Sequence, residues 1–432
     1  MCLERTNVWY NEFGDNMGTY ICIDLKTFFA SVECVERNLN PFKVDLVVAD
    51  IKRSKGAICL AISPKMKERG IKNRCRIYDI PKDVKPIIAK PRMKKYIEYS
   101  SKVYSIYLDY FSKDDIYAYS IDEVFIDASN YLKMYKKNAC MLAKDILDDI
   151  YKRTGLTATA GIGTNMYLAK IALDIMSKHN ESHIAYLNED LYKEKLWNHR
   201  PLSDFWQIGK GIENRLYKHH LKTMKDVANC NPNILYKEFG ISAEILIDHS
   251  LGLEPCTIKE VKSYKPKSSS ISNSQILFRD YNYKEARVVL TEMIDNLVLE
   301  LVNRELYTDN ISIYIGFTRE ENYGIHFSVS TDLTNSYSQI LKLVLNEYEY
   351  RILEEVKIRR IGISFNNLDK KRYEQLNLFM DINEDKKEEH LESTINKIKN
   401  KFGKNSLFRC ISLDENGTAI LRNKYIGGHN AE

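Results

Sequence analysis

The chain of 432 residues has no uncharged apolar run near the ~20 residues that cross a bilayer, which excludes a helical membrane protein. Its first twenty residues, MCLERTNVWYNEFGDNMGTY, have no apolar signal core and carry acids, so export is not expected. The nine cysteines are an odd number without a CxxC pair, which argues against a disulfide framework and a zinc cluster. Reduced thiols in the cytoplasm are the expectation. Internal repeats and low-complexity tracts are also missing. Hydrophobic residues make up 44%, too many for wholesale disorder. At roughly 100–200 residues per domain, the length suits about two to four domains.

The net charge of +5 is unevenly spread. Between Pro41 and Lys95 stand sixteen Lys/Arg against five Asp/Glu, so the rest of the chain is net acidic. Gly56, Pro64, Gly70, Pro81, Pro86 and Pro91 interrupt this block, which is therefore not one long charged helix. A compact basic block points to a polyanion, whether nucleic acid, nucleotide or both; the plainer alternative is a solvated surface.

TYICIDL (Thr19–Leu25) reads as a strand and TFFASVECVERNL as a helix with Thr27 as its cap. DLVVAD and AICLAIS read as strands, and PKMKERG as a short helix ending at Gly70. Met93–Phe111 repeats Tyr, Ile and Leu every three or four residues, a helical period. Asp115–Asp127 alternates like paired strands, and Leu132–Arg153 reads as helical. TATAGIGT is a strand entering a turn before the helix NMYLAKIALDIMSK. The alternation predicts an α+β domain around a small sheet. Asn188–Leu253 shows no strand pattern and reads as a small helical domain, and Glu260–Ser274 as a linker. A second α+β unit follows, with helices at Tyr283–Asn303 and Ser336–Leu353 and strands around ISIYIGF, IHFSVS and RRIGISF. The polar remainder holds one amphipathic helix, with Leu391, Ile395, Ile398 and Phe402 on one face.

Asp24 ends an apolar strand, where an acid costs energy unless it pairs or binds. Asp122 and Glu123 lie in the apolar YSIDEVFID, where strand neighbours point to opposite faces unless the chain bends. Singly, each acid has an ordinary reading at a strand end. Together they supply the hard carboxylates that a two-metal phosphoryl-transfer site needs.

IDLKTFFASVE (Ile23–Glu33) followed by SIDEVFID (Ser120–Asp127) resembles the Y-family, the translesion DNA polymerases. GIGTNMYLAKIA, WQIGKGI and RRIGISF look like that family's palm, helix-hairpin-helix and little-finger segments, in the family's order. KFGKNSLFRC and GGHNAE look like the UmuC-like branch of Gram-positive bacteria and their mobile elements. The resemblance implies a right-hand α+β polymerase with a ferredoxin-like palm (1–27 and 93–177), small fingers (28–92) and a helix-hairpin-helix thumb (178–256). A linker (257–273), a separate α+β little finger (274–372) and a tail (373–432) would follow.

The family's roles fall on particular positions. Asp24, Asp122, Glu123 and the carbonyl of Leu25 would hold two Mg²⁺ ions. Phe29 would be the steric gate against a ribose 2′-OH, with the amides of Phe28 and Phe29 meeting the triphosphate. Lys170 would reach the same triphosphate. Many relatives carry a Tyr and an Arg in the fingers, where SPKMKERG has Pro64 and Lys67. Lysine is a point charge rather than a bidentate fork, so Lys67 takes the arginine's place with a different grip, shared with Lys52, Arg53 or Lys55. The turn around Gly209, Lys210 and Gly211 would offer amides to a DNA phosphate. GIGTN lacks the GK[ST] of a phosphate loop and reads as a structural turn. Gln375, Leu376, Leu378 and Phe379 in QLNLF resemble the peptide that bacterial replication proteins insert into the sliding clamp (β-clamp).

The function so implied is a low-fidelity, template-directed DNA polymerase without proofreading, acting on primer-template DNA and dNTP across damage. It would work as a cytoplasmic monomer, with a RecA-type filament or accessory subunits as further candidate partners. The alternatives are a non-catalytic, clamp-tethered DNA-binding protein on a polymerase scaffold, and a nucleotidyl cyclase with a palm-like domain.

Overall fold

The computed structural model describes residues 18–51, 56–267, 269–318, 323–370 and 382–432. They form two units, one up to Tyr264 and one from Lys265 to Ala431.

In the first unit β1 (Tyr20–Leu25) leads into α1 (Phe28–Val35). A small lobe follows, made of β2 (Leu46–Val48), β3 (Ala61–Ile62), α2 (Pro64–Glu68) and β4 (Ile87–Ala89). Then come α3 (Met93–Tyr110), β5 (Ile116–Ala118), β6 (Glu123–Asp127), α4 (Tyr131–Tyr135), α5 (Ala139–Thr154), β7 (Ala158–Gly163), α6 (Met166–Ile171) and β8 (Ile184–Leu187). The main sheet has the order β5-β6-β1-β7-β8, antiparallel except for β7 with β8. β1 is its middle strand, and Ile21, Cys22 and Ile23 are fully buried, which is why YICI reads as a continuous apolar run up to Asp24.

Gly161 and Gly163 are required by close approach. A Cβ at Gly161 would lie 2.1 Å from the Ala169 carbonyl oxygen, and one at Gly163 2.3 Å from the Ala169 nitrogen. GIGTN is thus the place where α6 presses on β7, in keeping with a structural turn. The helix expected from Asn165 onward does not stay regular: a π turn spans Ala172–Met176. Such a turn is a recurrent feature of functional sites.

Several expectations need correction. Thr27 sits in the left-handed region at φ 46° and makes no capping bond to α1. Its hydroxyl pairs with that of Ser31 instead. The helical stretch Leu132–Arg153 is divided in two, because Lys136 turns left-handed at φ 51° and Asn138 caps α5 through the Met141 amide. The main sheet runs past the palm boundary expected at 177, because β8 pairs with β7.

Helices α7 (Glu189–Lys195), α8 (Lys210–Lys218), α9 (Met224–Ala228), α10 (Pro232–Phe239) and α11 (Ala243–Leu251) make the strandless lobe. The linker expected at 257–273 begins instead with α12 (Ile258–Ser263), held by a capping box of Thr257 and Glu260. Ile258 is buried against Tyr20, Cys22 and Phe125 of the sheet.

The second unit opens with β9 (Ile271–Tyr281), three residues before the little-finger start expected at 274. It continues with α13 (Tyr283–Asn303), β10 (Thr308–Phe317), β11 (Gly324–Thr334), α14 (Tyr337–Arg351) and β12 (Ile358–Asn366). The sheet is antiparallel in the order β11-β10-β12-β9, and α13 and α14 share its apolar core. The polar remainder is folded onto this unit. It contains α15 (Ile382–Phe402), α16 (Ala419–Arg422) and the short pair β13 (Tyr425–Ile426) and β14 (His429–Asn430). Buried acids on α13 explain why. Glu292 accepts from the amides of Thr418 and Ala419 at 2.7 and 3.0 Å. Asp295 accepts from Arg409 Nε at 2.6 Å, and the same guanidinium pairs with Glu392 and lies 3.6 Å from the centre of the Tyr337 ring.

Candidate active site

β1 and β6 bring the three acids together at one end of the sheet. Asp24 stands opposite Glu123 in the register, and the amide of Leu25 bonds to the Asp122 carbonyl at 3.0 Å. Asp122 is not inside a strand as expected. It closes the turn between β5 and β6, which frees its carboxylate from the alternation of faces. That turn is built by hydrogen bonds: the amides of Tyr119 and Ser120 donate to the Glu123 carbonyl, and Ser120 Oγ donates to Asp122 Oδ1 at 2.6 Å.

Lysines surround the acids. Lys170 Nζ is 2.6 Å from Glu123 Oε1 and 3.0 Å from Asp174 Oδ2. Lys178 Nζ lies 2.8 Å from Asp174 and 3.7 Å from Asp24. The Cys22 thiol also donates to Glu123, at 3.3 Å. Burial pushes the Asp24 carboxyl up to about 7; Lys178 opposes this, and the charges of Asp122 and Glu123 reinforce it. Burial works against the charge of Lys170, but Cys22, Asp174 and Glu123 outweigh it and raise its pKa.

The acids suit a divalent cation in chemistry: three hard carboxylates, one of them buried and destabilised by the other two. In the protein alone, two of these side chains are held by neighbouring residues. Asp122 turns to Ser120 and Glu123 to Lys170, and no three His, Cys, Asp or Glu side chains among the described residues gather as ligands.

Lys170 also departs from expectation. Its side chain is only 8% exposed and is spent on Glu123 and Asp174, because a buried ammonium needs carboxylate partners. Lys178, which the sequence reading passed over, is 40% exposed beside Asp24. Its spacing of four from Asp174 and eight from Lys170 was the available signal. Lys67 arrives from α2: burial lowers its pKa, the Lys178 charge adds to the effect, and Asp24 opposes it. Lys26 is lowered too, first by burial and then by Lys67, and its ammonium lies 3.1 Å from His183 Nδ1. Lys26, Lys67 and Lys178 thus form a cationic group next to Asp24. Lys52, Arg53 and Lys55 lie outside the described residues.

The two phenylalanines separate cleanly. Phe28 is buried, whereas Phe29 is half-buried and stacks on Tyr96 at 4.5 Å between ring centres. Tyr96 is fixed in turn by donating to Glu33 at 2.8 Å, and Arg92 grips Glu33 through two bonds of 3.0 and 2.9 Å. The sequence reading missed this support, because its partners are 59 and 63 residues apart in the chain.

Gly209 caps α8 with an ordinary φ of −85°, and Gln207 takes the left-handed conformation instead, at φ 67°. A Cβ on Gly209 or Gly211 would meet nothing within 4 Å. Neither backbone strain nor packing demands glycine at either position, and both residues are exposed. Lys210 pairs with Glu213 at 3.1 Å. QLNLF (375–379) lies outside the described residues.

Known proteins align with both units. Residues 23–174 match the impB/mucB/samB family, and residues 268–378 match that family's C-terminal domain. The chain is 32% identical over 413 residues to the putative UV-damage repair protein UvrX of Bacillus subtilis (strain 168), covering 95% of this chain and 97% of that one. It is 28% identical to DNA polymerase IV 2 of the same organism, covering 94% and 97%. Among solved structures, a Y-family DNA polymerase chimera shares the fold at a TM-score of 0.62 and 19% identity, over 82% of this chain and 100% of that one.

Proposed function

This chain belongs to the impB/mucB/samB family of Y-family DNA polymerases, and from that premise we propose how its residues carry out template-directed DNA synthesis across damage. The observation that carries the reading is the meeting of Asp24, Asp122 and Glu123 at the ends of β1 and β6, beside a cationic group suited to phosphates.

Asp24, Asp122, Glu123 and the Leu25 carbonyl are the groups to hold two Mg²⁺ ions. When bound, such ions acidify a primer 3′-OH and neutralise a departing pyrophosphate. The protein's own residues do the rest. Lys170 and Cys22 hold Glu123 in place. Lys67 and Lys178, with the amides of Phe28 and Phe29, bind the dNTP triphosphate. Phe29, braced by Tyr96, excludes the ribose 2′-OH by contact. Gly209 and Gly211 present amides to a DNA phosphate, with Lys210 at the rim.

The clamp peptide at Gln375, Leu376, Leu378 and Phe379 stays part of the proposal on its pattern alone, as do a RecA-type filament or accessory subunits. Among the described residues no helix is long and apolar enough to cross a membrane, which fits work on DNA in the cytoplasm.

The test is to incubate the purified protein with Mg²⁺, a primed template and one dNTP at a time. Extension by the templated nucleotide is expected. DNA binding without extension would point to a non-catalytic binding protein, and cyclisation of a free nucleotide to a cyclase.

A further inference from the structure

We propose that Tyr119 and Trp206 are positioning residues that tie the helical lobe to the turn carrying Asp122. Trp206 belongs to the WQIGKGI segment, three residues before the Gly209 amide. Its indole Nε1 donates to the Tyr119 hydroxyl at 3.1 Å. The same ring lies 5.9 Å from Tyr119 edge-on, 5.7 Å from Phe125 of β6, and 6.0 Å from His249 of α11, nearly parallel. Trp206 therefore packs against two cores at once, that of the sheet and that of the helical lobe.

Tyr119 stands at the other end of the hydrogen bond, at the first position of the β5–β6 turn. Its amide donates to the Glu123 carbonyl at 3.0 Å, and the Lys170 ammonium that grips Glu123 lies 5.9 Å from the centre of its ring. A short chain of contacts thus runs from the bare amides of α8, through Trp206 and Tyr119, to the turn of Asp122 and the side chain of Glu123. Lateral movement of the helical lobe would pull on that turn. The bond is polar and directional, so it sets position in a way that ring packing alone does not. Neither side chain needs to touch substrate.

The inference rests on the polymerase reading, and the experiment separates the two. Parent, Tyr119→Phe, Trp206→Phe and the double variant are compared for kcat, KM for dNTP, affinity for primer-template and melting temperature. Tyr119→Phe removes only the bond, whereas Trp206→Phe also trims a ring packed against two cores. Each single variant should lose about fivefold in kcat, the worth of one hydrogen bond. KM and DNA affinity should stay at parental values in both, and the melting temperature in Tyr119→Phe; the double variant should be no slower than the slower single, because both remove the same contact. A Tyr119→Phe kcat within twofold of the parent overturns the inference. So does a Tyr119→Phe loss of kcat matched by lower DNA affinity or melting temperature, which would mark a purely structural role. Should Trp206→Phe fail to fold, Tyr119→Phe decides alone. A parent that extends no primer overturns the polymerase reading and this inference with it, whereas active variants beside an active parent overturn only this one.

Discussion

The sheet around β1 ends in carboxylates ringed by lysines, whereas the sheet around β10 presents a face of small polar side chains that bond to one another, with Arg360 at one end. On that second face Ser312 and Ser328 share a hydrogen bond of 2.9 Å, and Asn366 donates to Asn310 and Ser312 at 2.9 and 2.8 Å. On the other side of the sheet, Glu292 and Asp295 of α13 are matched by the C-terminal segment. In the first sheet the half-buried Asp24 is left with its carboxyl near 7 beside a cationic group. In the second unit burial raises the Glu292 carboxyl too, but the C-terminal segment covers it and donates two backbone amides to one of its oxygens, the other lying outside those bonds.

The sharpest way to break this contrast is at the acids. Asp122→Ala should cost ~10³-fold or more in primer extension, because an oxygen ligand is lost at the reacting atoms, while DNA affinity holds. Extension at a near-parental rate would remove the catalytic assignment. The next largest effect belongs to the second unit. Arg409→Ala leaves Asp295 and Glu392 without their shared guanidinium, and should destabilise that unit by about 3 kcal/mol. Differential scanning calorimetry should show a lowered transition for the second unit alone; a uniform shift would mean that the two units melt as one.

Lys178→Ala should raise KM for dNTP on the order of tenfold with a smaller change in kcat, as expected for a charge-assisted contact to phosphate. If Lys170→Ala raises KM instead and Lys178→Ala does not, the roles of the two lysines are reversed. Phe29→Ala should reduce the preference for dNTP over rNTP on the order of tenfold, measured as the ratio of insertion efficiencies. An unchanged ratio would leave Phe29 as a packing residue on Tyr96. The smallest effect is expected at the serines of that second face. Ser328→Ala should change primer-template affinity less than about twofold and leave its salt dependence untouched, since a hydroxyl carries no charge to counter a phosphate.

The long elements were legible because their signals are local. Tyr283–Asn303 was read to the residue, since Asn282 and Glu285 form a capping box at its start and its apolar period is unbroken. The three acids were legible because an acid at the end of an apolar strand stands out. Thr27 misled because its cap-like chemistry gave no hint of a left-handed backbone. β8 was missed because IAYL is four residues long and pairs only through the tertiary fold. Lys170 and Lys178 were not told apart because both lie four residues from Asp174 and pair with it, and only the fold buries Lys170 against Glu123. The support of Phe29 by Tyr96, Glu33 and Arg92 was hidden by chain separation.

The folded-back C-terminal segment has a consequence for the life of the protein in a cell. Glu292 takes its hydrogen bonds from residues 418 and 419, more than a hundred positions downstream. A premature stop codon after Phe402 would spare every residue of the proposed site and still strand a buried carboxylate in the second unit. Such a product would spend more time unfolded and be cleared by proteases. Nonsense alleles near the 3′ end of the gene should therefore reduce the amount of polymerase rather than its turnover per molecule.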